Sequence, residues 1–474
     1  MSSVARPNAR QTLVVAVIAS SMAFLDGTVV NVALPVMQRE LRLTVAGAQW
    51  VVEAYALLLA SLVLVGGALG DRYGRKRIFL GGVVLFCVAS AACGAAPSSL
   101  LVIVARAVQG IGAALLVPGS LALISAAYVD DEARGRAIGT WSSFSAITAA
   151  IGPVAGGWVV THASWRWLFY FNVPIGALVL VLASRGVTET RDDSAPKTMD
   201  WGGAALVTLG LGLVVYGLID SGHTAGAFGE IALVAMGVVT LVVFVVVESR
   251  LAAPMVPLSL FSSSTFAGVN LLTLLLYGAL GGALFLVPFD LIQVQHYSPT
   301  AAGASLLPLV LLALPGVGGS YWSTFFPAIV VLGLGMGITV APLTTAVMGS
   351  VGRRHAGIAS GVNNAVSRAA GLLAIAVLGV VLQSRFDRVL DANVSSLALP
   401  ASVASRVAAE RSKLGAAQLD DIEPPLRDAL HDAFAHAFVA GFRTVMLACA
   451  ALAVLGGIAG WLMVRNRERP SITS

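Results

Sequence analysis

Long apolar runs separated by short polar segments make up most of this sequence. A run of about 18 or more apolar residues is long enough to cross the hydrocarbon core of a bilayer as a helix. Six such runs precede a charged connector at 185–200, and six follow it. The pattern therefore predicts an all-α polytopic membrane protein with twelve full-length spans, at about 12–36, 48–69, 78–96, 99–127, 137–160, 168–185, 202–220, 230–247, 266–289, 323–348, 357–382 and 437–464.

Composition supports the same class of protein. Only 11% of the 474 residues are charged and 57% are hydrophobic, whereas a soluble domain carries about 25% charged residues. The formal net charge is +5, but the basic residues are spread over short loops, so we interpret them as topology signals and expect no nucleic-acid partner. The three cysteines, Cys87, Cys93 and Cys449, lie in apolar runs without metal-ligand spacing, which predicts packed side chains and no metal site.

The loop at 67–77, with the sequence GALGDRYGRKR, sets the predicted orientation. It carries four cations and one acid within seven residues, and short loops rich in Lys and Arg face the cytoplasm. The later segment 301–319 has only about fourteen firmly apolar residues, fewer than a full span needs, and contains Pro308 and Pro315, so we predict that it does not cross the bilayer. With that choice the later basic loops and both termini are also cytoplasmic, in a multi-pass protein of the plasma (inner) membrane.

The predicted spans divide the chain into three regions. Residues 1–186 form an N-terminal six-helix half, and 187–264 form a connector with two extra transmembrane helices. Residues 265–474 form a C-terminal half that is shortened at 301–319 and carries a long exterior loop at 384–436. Parts of this loop have apolar residues at three- and four-residue spacing, which is typical of an amphipathic helix. We interpret the loop as a solvated or interface-lying cap, with a substrate-gating lid as the alternative.

Ionisable side chains inside the spans are the main candidates for chemistry, because charges are costly to keep in hydrocarbon. Counting residues along the helices places Asp26, Glu53 and Arg106 at one depth, about 10 Å from the exterior edge of the core. We predict that Asp26 and Arg106 form a proton-coupling pair, with a purely structural ion pair as the alternative. Glu53 is a candidate site for a proton or a cationic substrate, unless it only faces a water-filled mouth. Arg368, near mid-membrane, either binds backbone carbonyl groups in helix packing or contacts an anionic substrate.

Small residues are concentrated in the fifth span. Small side chains let transmembrane helices approach closely, and proline allows a kink. We predict tight packing at Gly152, Pro153, Gly156 and Gly157, and, as a functional addition, sliding or bending of this helix during transport.

Together these features resemble the major facilitator superfamily, and within it the fourteen-helix drug–proton antiporter branch of the EmrB/QacA type. The loop 67–77 resembles the cytoplasmic signature of the superfamily, and LDGTVVNVALP at 25–35 resembles the first-helix motif of the branch. RAVQGIGAA at 106–114 resembles the fourth-helix proton-translocation motif. GPVAGG at 152–157 resembles the fifth-helix antiporter motif, although Thr148 stands in place of its leading glycine. Two further matches are WRWLFYFNVPIG at 165–176 and AGIASGVNN at 356–364.

The resemblance implies two pseudo-symmetric six-helix halves with two extra helices between them. It implies alternating access, in which proton entry drives the exit of drugs or other hydrophobic or cationic small molecules. On this basis the chain is a secondary transporter and not an enzyme. It would use the proton gradient without a cofactor, and it would act as a monomer with protons, a small-molecule substrate and the lipid bilayer as partners.

The resemblance also assigns roles to individual residues. Asp26 and Arg106 carry over as proton-coupling residues, and Glu53 stands where many relatives have a polar or acidic residue. Asp71, Gly74 and Arg75 carry over as a conformational latch that holds helix ends in one state. The remaining motif residues are Gly67 and Arg72 in the basic loop, Gln109 and Gly110 in the fourth span, and Asn31 and Arg368 as substrate or packing residues.

One departure from the branch concerns the second half. Relatives have two full spans and a basic loop where this chain has only 301–319. The segment reads as an in-phase deletion of about a helix and a half, which would preserve the orientation of every later span. The alternative function is therefore a transport-inactive or binding-only membrane protein left by the deletion.

Overall fold

The computed structural model describes residues 8–464 except 129, 193–198, 220–225, 252–253, most of 295–355, and 398. Within 295–355 it describes Ser298, Leu343, Ala346, Val347 and Val351. The regular structure of the described residues is helical throughout. The helices are α1 (Ala9–Glu40), α2 (Val45–Tyr73), α3 (Arg75–Ala95), α4 (Ser99–Ala127), α5 (Asp131–His162), α6 (Arg166–Tyr170), α7 (Asn172–Gly186), α8 (Trp201–Ile219), α9 (Gly226–Glu248), α10 (Ser264–Phe289), α11 (Ala356–Val394), α12 (Ala401–Glu410) and α13 (Leu426–Met463).

Eleven of the described helical segments are long and apolar enough to cross a membrane, with α6 and α7 together forming one of them. The predicted all-α polytopic fold is thereby confirmed. The remaining predicted span, 323–348, lies outside the described residues except for Leu343, Ala346 and Val347, and the segment 301–319 lies wholly outside them. The three-region division stays a prediction, and it is used below only to name an N-terminal half (α1–α7) and a C-terminal half (α10, α11 and α13).

Side-chain caps explain where several helices begin. The Oγ1 atom of Thr44 accepts a hydrogen bond from the Gly47 N–H at 3.1 Å at the start of α2. The Oδ2 atom of Asp130 accepts one from the Ala133 N–H at 2.8 Å at the start of α5, and Asn8 caps α1 in the same way. Such caps satisfy amide groups that have no partner within the helix.

Two helices run further than their predicted spans. The sequence predicts spans at 357–382 and 437–464, but α11 continues to Val394 and α13 already begins at Leu426. The amphipathic residues near 402–419 lie in the separate helix α12 and the residues after it. The extensions of α11 to Val394 and of α13 from Leu426 are direct continuations of the two spans. They stay helical because Phe386 and Leu390 of α11 and Phe434 of α13 bury their side chains in one apolar cluster.

Residues 399–425, here named the cap, cover the end of the molecule that these extensions reach. Within the cap, Leu414 has φ 52° and ψ −123°, a strained conformation for a residue with a Cβ atom. Its side chain is 1% exposed and lies with Val45 of α2 and Phe285 and Phe289 of α10. The cap thus contacts both halves through one buried leucine, and burial of that side chain offsets the backbone strain.

Glycine contacts set how closely the helices of the N-terminal half pack. A Cβ atom on Gly112 of α4 would lie 2.6 Å from the backbone nitrogen of Phe86 in α3. Cβ atoms on Gly152 and Gly156 of α5 would overlap with Thr28 and Val29 of α1, respectively. The predicted tight packing at these two glycines is therefore present, between α5 and the helix that carries Asp26.

Two adjacent glycines of α3 test the packing account. A Cβ atom on Gly82 would lie 2.8 Å from Leu115 Cβ of α4, whereas one on Gly81 would meet nothing within 4 Å. We expect Gly82→Val to destabilise the protein by about 1–3 kcal/mol or more, because the overpacked helices must separate. Gly81→Val is the matched control and should leave the melting temperature in detergent unchanged. Equal losses of melting temperature in Gly82→Val and Gly81→Val would contradict this explanation of the helix packing.

Candidate functional site

An ion pair buried in the N-terminal half is the centre of the candidate site. Arg106 of α4 donates from Nη1 to the Oδ2 atom of Asp26 in α1. Both residues are 1% exposed, so neither charge is hydrated. A buried pair of this kind is tolerated only when further hydrogen bonds satisfy the remaining atoms of both groups.

Those further hydrogen bonds are present. The Oδ1 atom of Asp26 accepts from Gln109 Nε2 at 2.9 Å and from Asn172 Nδ2 at 3.0 Å. Arg106 donates from Nε to the carbonyl of Val51 at 3.0 Å and from Nη1 to Gln109 Oε1 at 2.8 Å. Both oxygens of the Asp26 carboxylate therefore accept hydrogen bonds from side chains of the protein.

Aromatic rings enclose the guanidinium of Arg106. Its Cζ atom lies 4.2 Å from the ring centroid of Tyr55 in α2 and 5.9 Å from that of Phe169 in α6. A cation over an aromatic face is stabilised by the negative face of the ring, most strongly where water is excluded. The pair is thus held by contacts from α1, α2, α4, α6 and α7.

Sequence reasoning missed two members of this network, Asn172 and Ser90. Asn172 is 2% exposed and donates to Ser90 Oγ at 2.9 Å as well as to Asp26. Ser90 of α3 in turn donates to the Phe169 carbonyl at 2.8 Å. The available signal was a neutral polar residue inside an apolar span, in the WRWLFYFNVPIG segment. Depth within the membrane was considered only for the ionisable residues.

Glu53 makes no hydrogen bond to this network. It is 0% exposed, and neither carboxyl oxygen has a hydrogen-bond partner among the described residues. The shared depth of Asp26, Glu53 and Arg106 was therefore an incomplete guide, because depth along a helix does not say which neighbour a side chain faces. Burying an unpaired carboxylate is strongly unfavourable, so this conformation accommodates Glu53 better as a neutral carboxyl.

Arg368 of α11 lies in the C-terminal half and faces the N-terminal half. Its Nε atom donates to Asn364 Oδ1 at 2.8 Å, one turn earlier on the same helix. Its Cζ atom lies 5.8 Å from the ring centroid of Phe24 in α1. The side chain is partly exposed. Asn31, the other predicted substrate or packing residue, is also partly exposed, and its Oδ1 atom is buried without a partner among the described residues.

The basic loop is organised around the turn between α2 and α3. Asp71 and Arg75 form an ion pair at 2.8 Å, and Gly74 has φ 113°, a conformation that favours glycine. A Cβ atom at Gly74 would lie 2.8 Å from the Glu189 carboxyl group. The turn therefore requires glycine for its backbone angle and for the closeness of Glu189.

Glu189 is a second residue that sequence reasoning missed. Its carboxylate accepts hydrogen bonds from the Lys76 and Arg77 N–H groups at 2.9 and 3.0 Å, so it caps α3 from the connector after α7. Next to it, the Thr190 carbonyl accepts from the Arg75 N–H at 2.8 Å. The connector, predicted only as a divider between regions, therefore binds the predicted latch loop directly.

The described residues contain no group of three or more His, Cys, Asp or Glu side chains that could hold a metal ion. The three cysteines are buried and free, as predicted from their apolar surroundings.

The contact between Glu189 and the start of α3 gives a graded test. Glu189→Ala removes the acceptors for two helix N–H groups, and loss of a cap costs about 0.5–2 kcal/mol. Glu189→Gln keeps one acceptor oxygen and should give an intermediate loss. Thermal unfolding of the purified protein measures both variants. A Glu189→Ala protein as stable as the wild type would show that the cap has no energetic role.

Comparison with known proteins identifies the family. The Major Facilitator Superfamily model matches residues 16–375. The chain is 33% identical over 490 aligned positions to the multidrug resistance protein Stp of Mycobacterium tuberculosis (strain CDC 1551 / Oshkosh), covering 95% of this chain and 91% of that protein. It is 34% identical over 408 positions to the methylenomycin A resistance protein of Bacillus subtilis (strain 168), covering 78% and 87% of the two chains.

A third relative is the tetracenomycin C resistance and export protein of Streptomyces glaucescens, 32% identical over 427 positions, with 82% and 79% of the chains covered. Among solved structures, a bacterial homologue of the human lysosomal transporter Spinster superposes with a TM-score of 0.56 at 16% identity, covering 98% of this chain and all of that one. This likeness shows the shared fold. The chain belongs to the major facilitator superfamily of transporters.

Proposed function

We propose that this chain is a proton-coupled exporter of drugs or other hydrophobic small molecules, with Asp26 and Arg106 as its coupling pair. The observation that carries the proposal is the buried ion pair between α1 and α4, in which both carboxylate oxygens of Asp26 accept hydrogen bonds. Keeping two charges in the interior of a membrane helix bundle is costly, and such groups mark ion and substrate pathways.

The relatives support the export of drugs. Stp carries the name multidrug resistance protein, and the relative from Streptomyces glaucescens carries the name resistance and export protein. Both alignments cover more than three quarters of this chain and of the relative. The antiporter branch with fourteen helices stays part of the proposal.

The geometry suggests how one proton would act. Asp26 is held as a carboxylate by Arg106 and by the amide donors of Gln109 and Asn172. A proton on this carboxyl removes the charge that Arg106 needs, and an unpaired buried guanidinium is strongly destabilising. Protonation of Asp26 would therefore favour a conformation in which α1 and α4 separate and Arg106 reaches water.

Glu53 is proposed as a second proton-carrying group. In this conformation its carboxyl is sealed from solvent without a partner among the described residues, which suits the neutral form. A conformation that opens α2 to water would allow the proton to leave. The same carboxyl is proposed not to bind a cationic substrate here, because it has no exposed surface.

The turn between α2 and α3 is proposed as the conformational latch. Asp71, Arg75 and Glu189 join the ends of two helices to the connector after α7. Separation of α2 or α3 from this connector would have to break these contacts. The basic residues of the same loop support its placement in the cytoplasm, with both termini on that side, in the plasma membrane. We propose that the transporter acts as a monomer.

The lengths of the alignments support a shortened C-terminal half. The alignment with Stp has 490 positions but covers 95% of 474 residues, or about 450, so about 40 positions have no counterpart in this chain. The 408 positions shared with the Bacillus subtilis relative cover 78%, or about 370 residues, and again leave about 40. We propose that these positions correspond to the deletion inferred near 301–319.

Asp26→Asn tests the coupling proposal. The variant cannot bind a transferable proton at this position, so we expect export driven by a pH gradient to fall to the level of empty proteoliposomes, with unchanged protein abundance. Asp130→Asn is a matched control, because asparagine also caps a helix. The readout is efflux of a panel of dyes and antibiotics after a pH jump. Proton-driven efflux that survives in Asp26→Asn would refute the role of Asp26.

A restored chain tests whether the shortened half still transports. We expect this chain, assayed beside a version with about 40 residues inserted at 301–319 from a relative, to export the same substrates, since the coupling network lies wholly in α1–α7. Efflux only from the lengthened version would instead show that this chain is transport-inactive.

A further inference from the structure

We propose that Arg368 and the aromatic side chains around it form a substrate subsite for an aromatic compound that carries an anionic oxygen, such as a carboxylate or phenolate. The inference rests on the proposed function and deepens it by naming the substrate class. It depends on the surroundings of one guanidinium and not on the proton-coupling pair.

The first argument is that Arg368 keeps unused hydrogen-bond donors. Its Nε atom binds Asn364, but among the described residues no partner is present for Nη1 or Nη2, and no carboxylate pairs with it. Arg106, the other arginine inside a span, pairs with Asp26 and binds Gln109 and a backbone carbonyl. Arg368, by contrast, has no acidic partner among the described residues.

The second argument concerns the structural role expected from the sequence. A packing arginine would bind backbone carbonyl groups of a neighbouring helix. Among the described residues, the hydrogen bond that Arg368 makes goes instead to a side chain on its own helix. A charged group near the centre of a span costs about 2.5–3.5 kcal/mol on insertion scales, and the contact with Phe24 of α1 is the one described contact between helices that offsets part of this cost.

The third argument is that the unused donors are reachable. Arg368 is partly exposed although it lies about 18 Å along α11 from Ala356. Its guanidinium carbon lies 5.8 Å from the ring of Phe24 in the other half. The partly exposed guanidinium therefore lies where the two halves face each other, and there a ligand could accept its hydrogen bonds.

The fourth argument comes from the aromatic surroundings. Phe24 of α1 lies 5.8 Å from the guanidinium carbon. Tyr277 of α10 packs against the same apolar cluster as Val366, two residues before Arg368 on α11. An aromatic ring from each half therefore lies near this part of α11. A ligand with a flat apolar body and an acidic oxygen would match this arrangement, since arginine binds carboxylates in a bidentate geometry and rings stack on rings.

Tyr55 also links the subsite to the coupling pair. Its ring lies 4.2 Å from the guanidinium carbon of Arg106, and its hydroxyl donates to the Ala23 carbonyl at 3.3 Å. Tyr55 thus contacts the buried ion pair and binds the residue next to Phe24, which faces Arg368. A ligand that displaces the Phe24 ring would therefore act on the part of α1 that Tyr55 holds.

The test uses three probes of one shape that differ in charge: 2-naphthoate (anionic), 2-naphthamide (neutral) and 2-naphthylmethylammonium (cationic). Binding to the full chain in phosphatidylcholine nanodiscs is measured by isothermal titration calorimetry, with empty nanodiscs as the blank. We expect 2-naphthoate to bind most tightly. Arg368→Gln should weaken it about tenfold or more, as expected when a hydrogen bond to a charged group is lost, and should change the other two affinities less than about twofold.

Arg368→Lys keeps the charge and should restore part of the affinity for 2-naphthoate, which separates loss of charge from misfolding. Phe24→Leu removes the ring alone and should weaken all three probes to a similar degree. The proposal is overturned if the wild type binds the cation as well as the anion or binds no 2-naphthoate, or if Arg368→Gln weakens all three probes equally. These outcomes distinguish failure of this proposal from failure of the proposed function. The calorimetry measures binding at Arg368, whereas the Asp26→Asn experiment measures proton-driven export.

Discussion

The ion pair between Asp26 and Arg106 is the interaction on which the rest of the N-terminal half depends. Two charges that are each 1% exposed must find every hydrogen-bond partner inside the protein. Asn172, Gln109 and the Val51 carbonyl supply those partners from three different helices. The positions of α2, α4 and α7 around α1 are therefore constrained by the requirements of one carboxylate and one guanidinium.

Close helix packing makes this network possible. Glycines let the helices around the network approach closely, as at Gly112 against Phe86 and at Gly156 against Val29. In the turn at Gly74 of the same half, Glu189 binds the first amides of α3. A movement that separates α1 from α4 must therefore disturb both close packing and the hydrogen bonds of the ion pair, which favours two discrete arrangements over gradual deformation.

Much of the fold could be predicted because charges and apolar runs are visible along the chain. The eleven described spans, the two helices after the connector, and Asp26 and Arg106 at one depth all followed from run length and residue counting. The orientation of Glu53, the capping role of Glu189 and the polar contact of Asn172 did not. They depend on helix rotation and on contacts between distant segments, which periodicity does not encode. The helix to Val394 was not predicted, and the amphipathic helix predicted before the last span was assigned to the exterior loop although it continues that span. Apolar residues of both extensions pack with those of the cap, a contact that the apolar runs of the sequence do not reveal.

The two arginines inside the spans differ in their partners. Arg106 is paired with Asp26, whereas Arg368 has no acidic partner among the described residues. The proposed coupling requires that Asp26 exchanges its proton when substrate binds. Purified protein in weak buffer with a pH-indicator dye measures this directly. On addition of a transported compound we expect a proton signal of about one per chain in the wild type and none in Asp26→Asn, whereas equal signals from the two proteins would contradict the claim.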